Sequence, residues 1–425
     1  MLTKGVRTSF TSDKTNEVNS LRDFAVDVAT ENMVSASRWA ILSLLFFLQT
    51  SASLVTLSFG PLAPFLQEYF NISRAQVGLF TSLSFAGNTL LGVFCGWLID
   101  KFHVRRFLLL GPAILGLSFL FLSQIHSFEI ALVCTFMGGM GYAFVNPSAA
   151  KALTHWFPSK SRATAIGVMK SGVSLGGALG AALLPGLALL IGWRNALVMI
   201  AFVVILVGGI SITFYRETTG KALTEALPTG LRQLRDILKN GSILMLGGLC
   251  VLYSAIQLSA STYLVLFLKE TVQLPVVLAG SFLTVYTLSG VAGRICWGFI
   301  SDHVFGGRRK ITLSLIGFIT AIMAVLIALF VDAVPLWLLY PMVAIFGLSA
   351  FGWPSIFITF LAELGGEKQA AAAVGLGVSI SNLGILIGPP IFGHIVDVTQ
   401  SYAYAWTVFG ILTATGAFLL LMIQE

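Results

Sequence analysis

The feature that most restricts this chain is how its charges are confined. Short polar segments alternate with apolar runs of about 20 residues or more, the length at which a helix spans a ~30 Å hydrocarbon core. In lipid every backbone N–H and C=O must find a protein partner, so only helices and closed barrels can cross. The weak ~10-residue alternation of barrel strands is absent. Composition points the same way: 56% of residues are hydrophobic and 10% charged, against roughly 25% charged in an average soluble domain. The fold class expected is an all-α membrane protein.

Twelve helices are expected, over about 39–66, 75–99, 107–124, 128–153, 164–191, 195–215, 241–268, 277–300, 310–331, 335–362, 369–397 and 402–424. They divide the chain into a polar N-terminal tail (1–38), a six-helix half (39–215), a basic linker (216–240) and a second six-helix half (241–425). The tail has no apolar stretch near its start, unlike a signal peptide. It reads as a cytosolic leader, or as a short amphipathic helix around Leu21–Val34. With the N-terminus in the cytoplasm, 19 of the 25 Lys and Arg residues fall on the cytoplasmic side. Only Arg74, Arg194 and Lys269 fall opposite, and Lys151, Lys170 and Arg294 lie within helices. The positive-inside rule then puts both termini in the cytoplasm and the chain in a cell membrane, plasma or inner. The net charge of +7 is mostly this bias; the basic residues lack interleaved stacking aromatics, so no nucleic-acid partner is expected. Cys95, Cys134, Cys250 and Cys296 all lie in apolar runs, with neither metal nor disulfide spacing.

The two halves are copies of one unit. The stretch Gly96-x-x-x-Asp100 followed by Arg105 and Arg106 returns as Gly298-x-x-x-Asp302 followed by Arg308 and Arg309, with Asp100 and Asp302 202 residues apart. Glu68 and Glu270 share that offset, and Gly167 and Gly375 open two glycine-rich runs at an offset of 208. Two such loops at matching repeat positions, with Trp156-Phe-Pro-x-x-x-Arg162 and Gly192-Trp-Arg194, resemble the major facilitator superfamily over about 39–424. The resemblance implies two pseudo-symmetric six-helix halves that rock about a central substrate site. Asp100, Arg105, Arg106, Asp302, Arg308 and Arg309 would then form gating contacts on the cytoplasmic side, with Gly96 and Gly298 in the same motifs. The bland alternative is that these charges only anchor the loops. Two departures stand out: His103 occupies the position of the family's usual glycine, and the second copy has one extra residue before Arg308.

Ionisable groups inside a membrane are expensive and mark function by default. All 18 acidic residues fall in loops, tails or helix ends; the cations well inside helices are Lys170 and Arg294. Lys170 lies eight residues past Arg162 and Arg294 eight before Asp302, so both sit about 12 Å deep at 1.5 Å per residue. In the fold this chain resembles, helices 5 and 8 come from opposite halves and line the central cavity together. Gly172, Gly176 and Gly180 form a small-residue packing stripe on another face of helix 5, which frees Lys170 to point inward. Lys170 reads as a substrate contact, or as a snorkelling or structural side chain. Arg294 reads as a carboxylate ligand, as in the monocarboxylate and oxalate/formate-type porters its surroundings resemble, or as an internal partner of the Asp302 gate. The run from Gly167 through Lys170 resembles cyanate-porter-like members. Uncharged candidates are Asn88, Asn382, Gln49, Gln257, Tyr142 and Asn146, each also explicable as an interhelical hydrogen bond. His394 and Asp397 near the outer end of helix 11 could relay protons, although a polar interface histidine is the reading preferred there.

No Gly-x-x-x-x-Gly-Lys-Ser/Thr phosphate loop occurs, so an ATP-driven pump is not encoded. The leading expectation is a secondary carrier, monomeric and without cofactor or metal, for a small organic anion, proton-coupled or exchanging. A neutral-solute carrier or a cationic-drug exporter is the alternative within transport, and a membrane sensor or docking platform the alternative outside it. No catalytic constellation supports an enzyme.

Overall fold

The computed structural model describes residues 38–215, 238 and 240–423, without the side chains of Val93, Asp100, Ser159, Lys160, Ala163, Glu367, Lys368 and Ala371. The expected tail (except Arg38) and the expected linker (except Leu238 and Asn240) lie outside the described residues. The helices are α1 Arg38–Phe70, α2 Arg74–Phe102, α3 Val104–Gln124, α4 Phe128–Trp156, α5 Ser159–Ile191 and α6 Trp193–Phe214. They continue with α7 Gly241–Glu270, α8 Val276–Phe299, α9 Arg309–Phe330, α10 Leu336–Gly366, α11 Ala372–Thr399 and α12 Tyr402–Leu420. Eleven of these segments are long and apolar enough to cross a membrane; α2 is a 29-residue helix beside them.

Helix ends are set by local chemistry. Ser73 and Gln76 form a capping box at the start of α2, Ser127 caps α4, and the Asn240 side chain accepts from two N–H groups of α7. The turn after α2 shows why the family favours glycine there: His103 sits at φ +69°, a left-handed value that side chains adopt only under strain. In the second copy Gly306 and Gly307 take the positive φ instead.

Four expected boundaries need correction. The helix expected to end near 300 continues through a π-helical turn, Ile300–Val304, which carries Asp302. The helix expected over 335–362 is interrupted: a regular segment Leu336–Ala350 ends in a turn, and helix resumes at Pro354. Proline has no N–H to continue the ladder but suits a first turn, so Phe351, Gly352 and Trp353 form a break. Helix α1 is likewise interrupted at Leu57 and Ser58 before Pro61. Finally, the expected loop between helices 10 and 11 is mostly helical, with a single kink where Gly366 takes φ +60°.

The two halves meet along α2 with α11 and along α5 with α8, pairs that exchange under the repeat, and α1 also packs on α7. Gly172, Gly176 and Gly180 face Phe46, Thr50 and Leu54 of α1. Outward faces are apolar, with Phe121, Leu190, Phe214, Ile295 and Trp337 exposed, the surface expected of helices in lipid rather than water. Cys95 and Cys250 are buried among these helices.

Candidate functional site

Two neighbouring cavities lie between the halves. The inner one, about 210 Å³, touches the breaks in both α1 and α10: Thr56 and Leu57 line it from one half, Phe351, Trp353 and Pro354 from the other. Irregular backbone at membrane depth is tolerated where it borders a cavity. Tyr142, Gln257, Arg294 and Asn382 also line this space. The outer cavity, about 300 Å³, lies nearer the Asp100 end and is bordered by Asn88, Asn146, Ser379 and Asn382. Asn382 belongs to both walls. Among the described lining residues of the two cavities there is no acidic side chain.

Lys170 donates from Nζ to Asn146 Oδ1 at 2.9 Å, which brings it to the outer cavity, and its side chain is exposed there. Its charge and that of Arg294 lie within electrostatic reach of each other, and Tyr142 stands within reach of Arg294 as well. The Arg294 guanidinium rests over the Phe351 ring at 5.4 Å, and its Nε is buried without a hydrogen-bond partner. A paired arginine would fill that donor. The expected candidates thus sort themselves by place. Lys170, Asn146, Asn88 and Asn382 meet at the outer cavity, and Arg294, Tyr142 and Gln257 at the inner one. Gln49 stands behind them, donating to Tyr142 Oη and to Ser53 Oγ at 3.1 and 3.2 Å.

The loop motifs behave differently from the expected bridge between halves. Arg309 joins Asp302 and Glu363, both in its own half, and Arg105 Nε donates to the Ile212 carbonyl at 2.8 Å. The Arg106 and Arg308 backbone amides close local turns. Asp100 carries no described side chain. Gly96 and Gly298 face open space where a Cβ would stand.

Contacts between halves gather instead at the opposite end, around Arg74. Its guanidinium donates to Glu270 at 2.8 and 2.9 Å and lies 3.5 Å from Asp397. The Asp397 carboxylate accepts from the backbone N–H groups of Arg74 and Ala75 at 3.0 and 2.8 Å. These are the first two residues of α2, so α11 supplies a charged cap to a helix of the other half. Tyr402 donates to Glu270 at 3.0 Å, and Tyr263 Oη donates to the Arg74 carbonyl at 2.6 Å. Deeper in, Thr81 and Thr262 share a hydrogen bond of 2.9 Å. Pro389 cannot donate to the Ile385 carbonyl four residues back, and Ser82 Oγ of α2 does so instead at 3.4 Å. The molecule is therefore latched at the Arg74 end, while its outer cavity lies toward the Asp100 end.

Sequence reasoning missed this latch, having counted Arg74 only toward topology and Glu270 only as a repeat mate of Glu68. Asp397 caps α2, a task apart from the proton relay with His394 raised as the lesser alternative. Trp297 is buried and donates to the Leu348 carbonyl at 3.0 Å. Trp353 was also missed, although the run Phe351-Gly-Trp-Pro354 carries a helix-breaking signal.

The family model described as Major Facilitator Superfamily matches residues 45–389. The hexuronate transporter of Bacillus subtilis is 24% identical over 82% of this chain and 85% of its own length. The probable L-galactonate transporter of Escherichia coli is 24% identical over 97% of this chain and 94% of its own. A solved bacterial homologue of the human lysosomal transporter Spinster superposes with a TM-score of 0.75 at 19% identity, covering 91% of this chain and 95% of that one. That last likeness is one of fold.

Proposed function

The chain belongs to the Major Facilitator Superfamily and is a multi-pass membrane transporter; from that premise we propose that its cargo is a small organic anion, a carboxylate, moved by alternating access. The observation that carries this reading is that Arg294 of one half lines the inner cavity and Lys170 of the other bonds to Asn146 on the wall of the adjoining one, with no acidic residue among the described cavity walls. Two like charges held together in a partly dry space are relieved by an anion between them. Hexuronate and L-galactonate, named for two relatives, are carboxylates. Any coupling proton would ride on the substrate or exchange with it, since the described cavity walls hold no carboxylate to carry one.

The positive-inside count puts the Asp100 end and both termini in the cytoplasm, with residues 216–240 as a cytoplasmic linker between the halves. On that orientation the Arg74 latch is the outer gate, closed, and the site opens inward. Asp100, Arg105, Arg106, Asp302, Arg308 and Arg309 would close the inner side in the opposite state, where Gly96 and Gly298 have room for a neighbouring helix. The protein would act as a monomer in a cell membrane.

The test is uptake by proteoliposomes against a panel of labelled anions, cations and sugars. Saturable anion uptake is expected, reduced at least about 10-fold by Lys170→Ala or Arg294→Ala, the loss of one charge-assisted hydrogen bond. Undiminished anion transport in both variants would remove these residues from the site. Transport of lipophilic cations alone would overturn the substrate class.

A further inference from the structure

We infer that the cargo is amphipathic: a monocarboxylate with a flat or branched apolar body and few hydroxyl groups. Its carboxylate would lie at the seam between Lys170 and Arg294, and its body in the inner cavity. This rests on the anion reading above and adds the shape of the rest of the molecule.

The inner cavity is walled by Phe85, Leu258, Phe351, Trp353, Phe357 and Ile385. Its aromatic side is held in place. Trp353 Nε1 donates to Gln257 Oε1 at 2.9 Å, and its ring packs 5.6 Å from Tyr253 and 5.1 Å from Phe357. The hydroxyl donors around this space are already used. Thr56 donates to the Ala52 carbonyl at 2.9 Å, Ser254 to Cys250 at 3.1 Å and Ser381 to Val378 at 3.0 Å. Tyr142 Oη is tied to Gln49 and Ser53, each at 3.1 Å. Beyond these hydroxyls the cavity offers the Arg294 guanidinium, with its buried, unpartnered Nε, set above the Phe351 face, and the side-chain amides of Gln257 and Asn382.

A ligand entering this space therefore meets one cation, two amides and otherwise apolar, aromatic walls. The outer cavity is the reverse: its amides, Asn88, Asn146 and Asn382, lie toward the Asp100 end, where the carboxylate stays partly hydrated. Polar mouth, charged seam and apolar end follow one another along the path. A polyhydroxylated acid placed the same way would bury several hydroxyls beside mostly apolar walls that hold few partners for them. An apolar pocket disfavours even one added hydroxyl by about 100-fold.

The experiment uses the full chain in proteoliposomes with labelled phenylacetate, 4-methylvalerate and glucuronate, and unlabelled phenylacetamide as competitor. The expected result is saturable uptake of phenylacetate or 4-methylvalerate at a half-saturation about 100-fold or more below that of glucuronate. Phenylacetamide should not compete, and Phe85→Asn should narrow the preference about 10-fold or more. Equal or tighter half-saturation for glucuronate, still dependent on Arg294, would overturn the apolar body and leave the anion reading standing. Competition by phenylacetamide as strong as by phenylacetate would overturn the anion reading itself. Failure to take up either apolar acid would overturn the inference outright, and the wild-type comparison decides even if the variant fails to fold.

Discussion

Neutralising Asp397 probes most directly how the Arg74 end stays shut. In Asp397→Asn the side chain keeps its size, but one oxygen becomes an N–H donor facing a backbone N–H. Of the two charged bonds to Arg74 and Ala75 at 3.0 and 2.8 Å, one becomes neutral and the other is lost. The contact to the Arg74 guanidinium at 3.5 Å loses its charge as well. A hydrogen bond to a charged group contributes about 1.5–3 kcal/mol and a carboxylate at a helix N-terminus about 0.3–1 kcal/mol. The side chains involved are 21–24% exposed, so solvent screening trims the sum to about 2 kcal/mol. That is roughly 30-fold in the balance between latched and unlatched states. The assay is the labelling rate of Thr81→Cys by a membrane-impermeant maleimide added from the Arg74 side, with the four native cysteines replaced. Thr81 lies beneath the latch, bonded to Thr262, and labels only when the halves part. Asp397→Asn should speed labelling about 30-fold, the factor derived above. Glu68→Gln, at the exposed repeat mate of Glu270, should leave the rate unchanged. A change below about 3-fold, under 1 kcal/mol, in well-folded Asp397→Asn protein would refute the latch.

The remaining expectations concern packing. A Cβ on Gly176 would collide with the Thr50 carbonyl of α1, whereas one on Gly186 meets nothing. Gly176→Ala should therefore cost about 1–3 kcal/mol, seen as a lower thermal midpoint in detergent, and Gly186→Ala should not lower it. Trp353→Phe keeps an aromatic wall but leaves the Gln257 acceptor, now filled at 2.9 Å, unpaired. A buried acceptor left so costs about 1–3 kcal/mol, so both a lower midpoint and weaker substrate uptake are expected; an unchanged protein would show that water replaces the indole.

Much of this architecture is written locally, and so is readable along the chain. Apolar runs long enough for a bilayer dictate helices because lipid offers the backbone no partner. The recurrence of Asp100 as Asp302 at an offset of 202 marks the repeat. The absence of mid-helix carboxylates isolates Lys170 and Arg294, and of the residues expected around them Asn88, Asn146, Asn382, Tyr142 and Gln257, though not Gln49, border two adjoining cavities. Other features depend on which distant segments touch. Asp397 caps a helix that begins 323 residues earlier, and nothing around either residue encodes the other. Trp353 gains its cavity position from a break that a single proline only permits. The Arg309 bridge stays within one half, joining Asp302 and Glu363. Local patterning of apolar length and charge decided that the chain is a bundle of membrane-spanning helices in two related units. Which charges meet, which end is shut and which walls a substrate would touch were decided by packing, since each is a pairing between helices whose sequences carry no record of their neighbour.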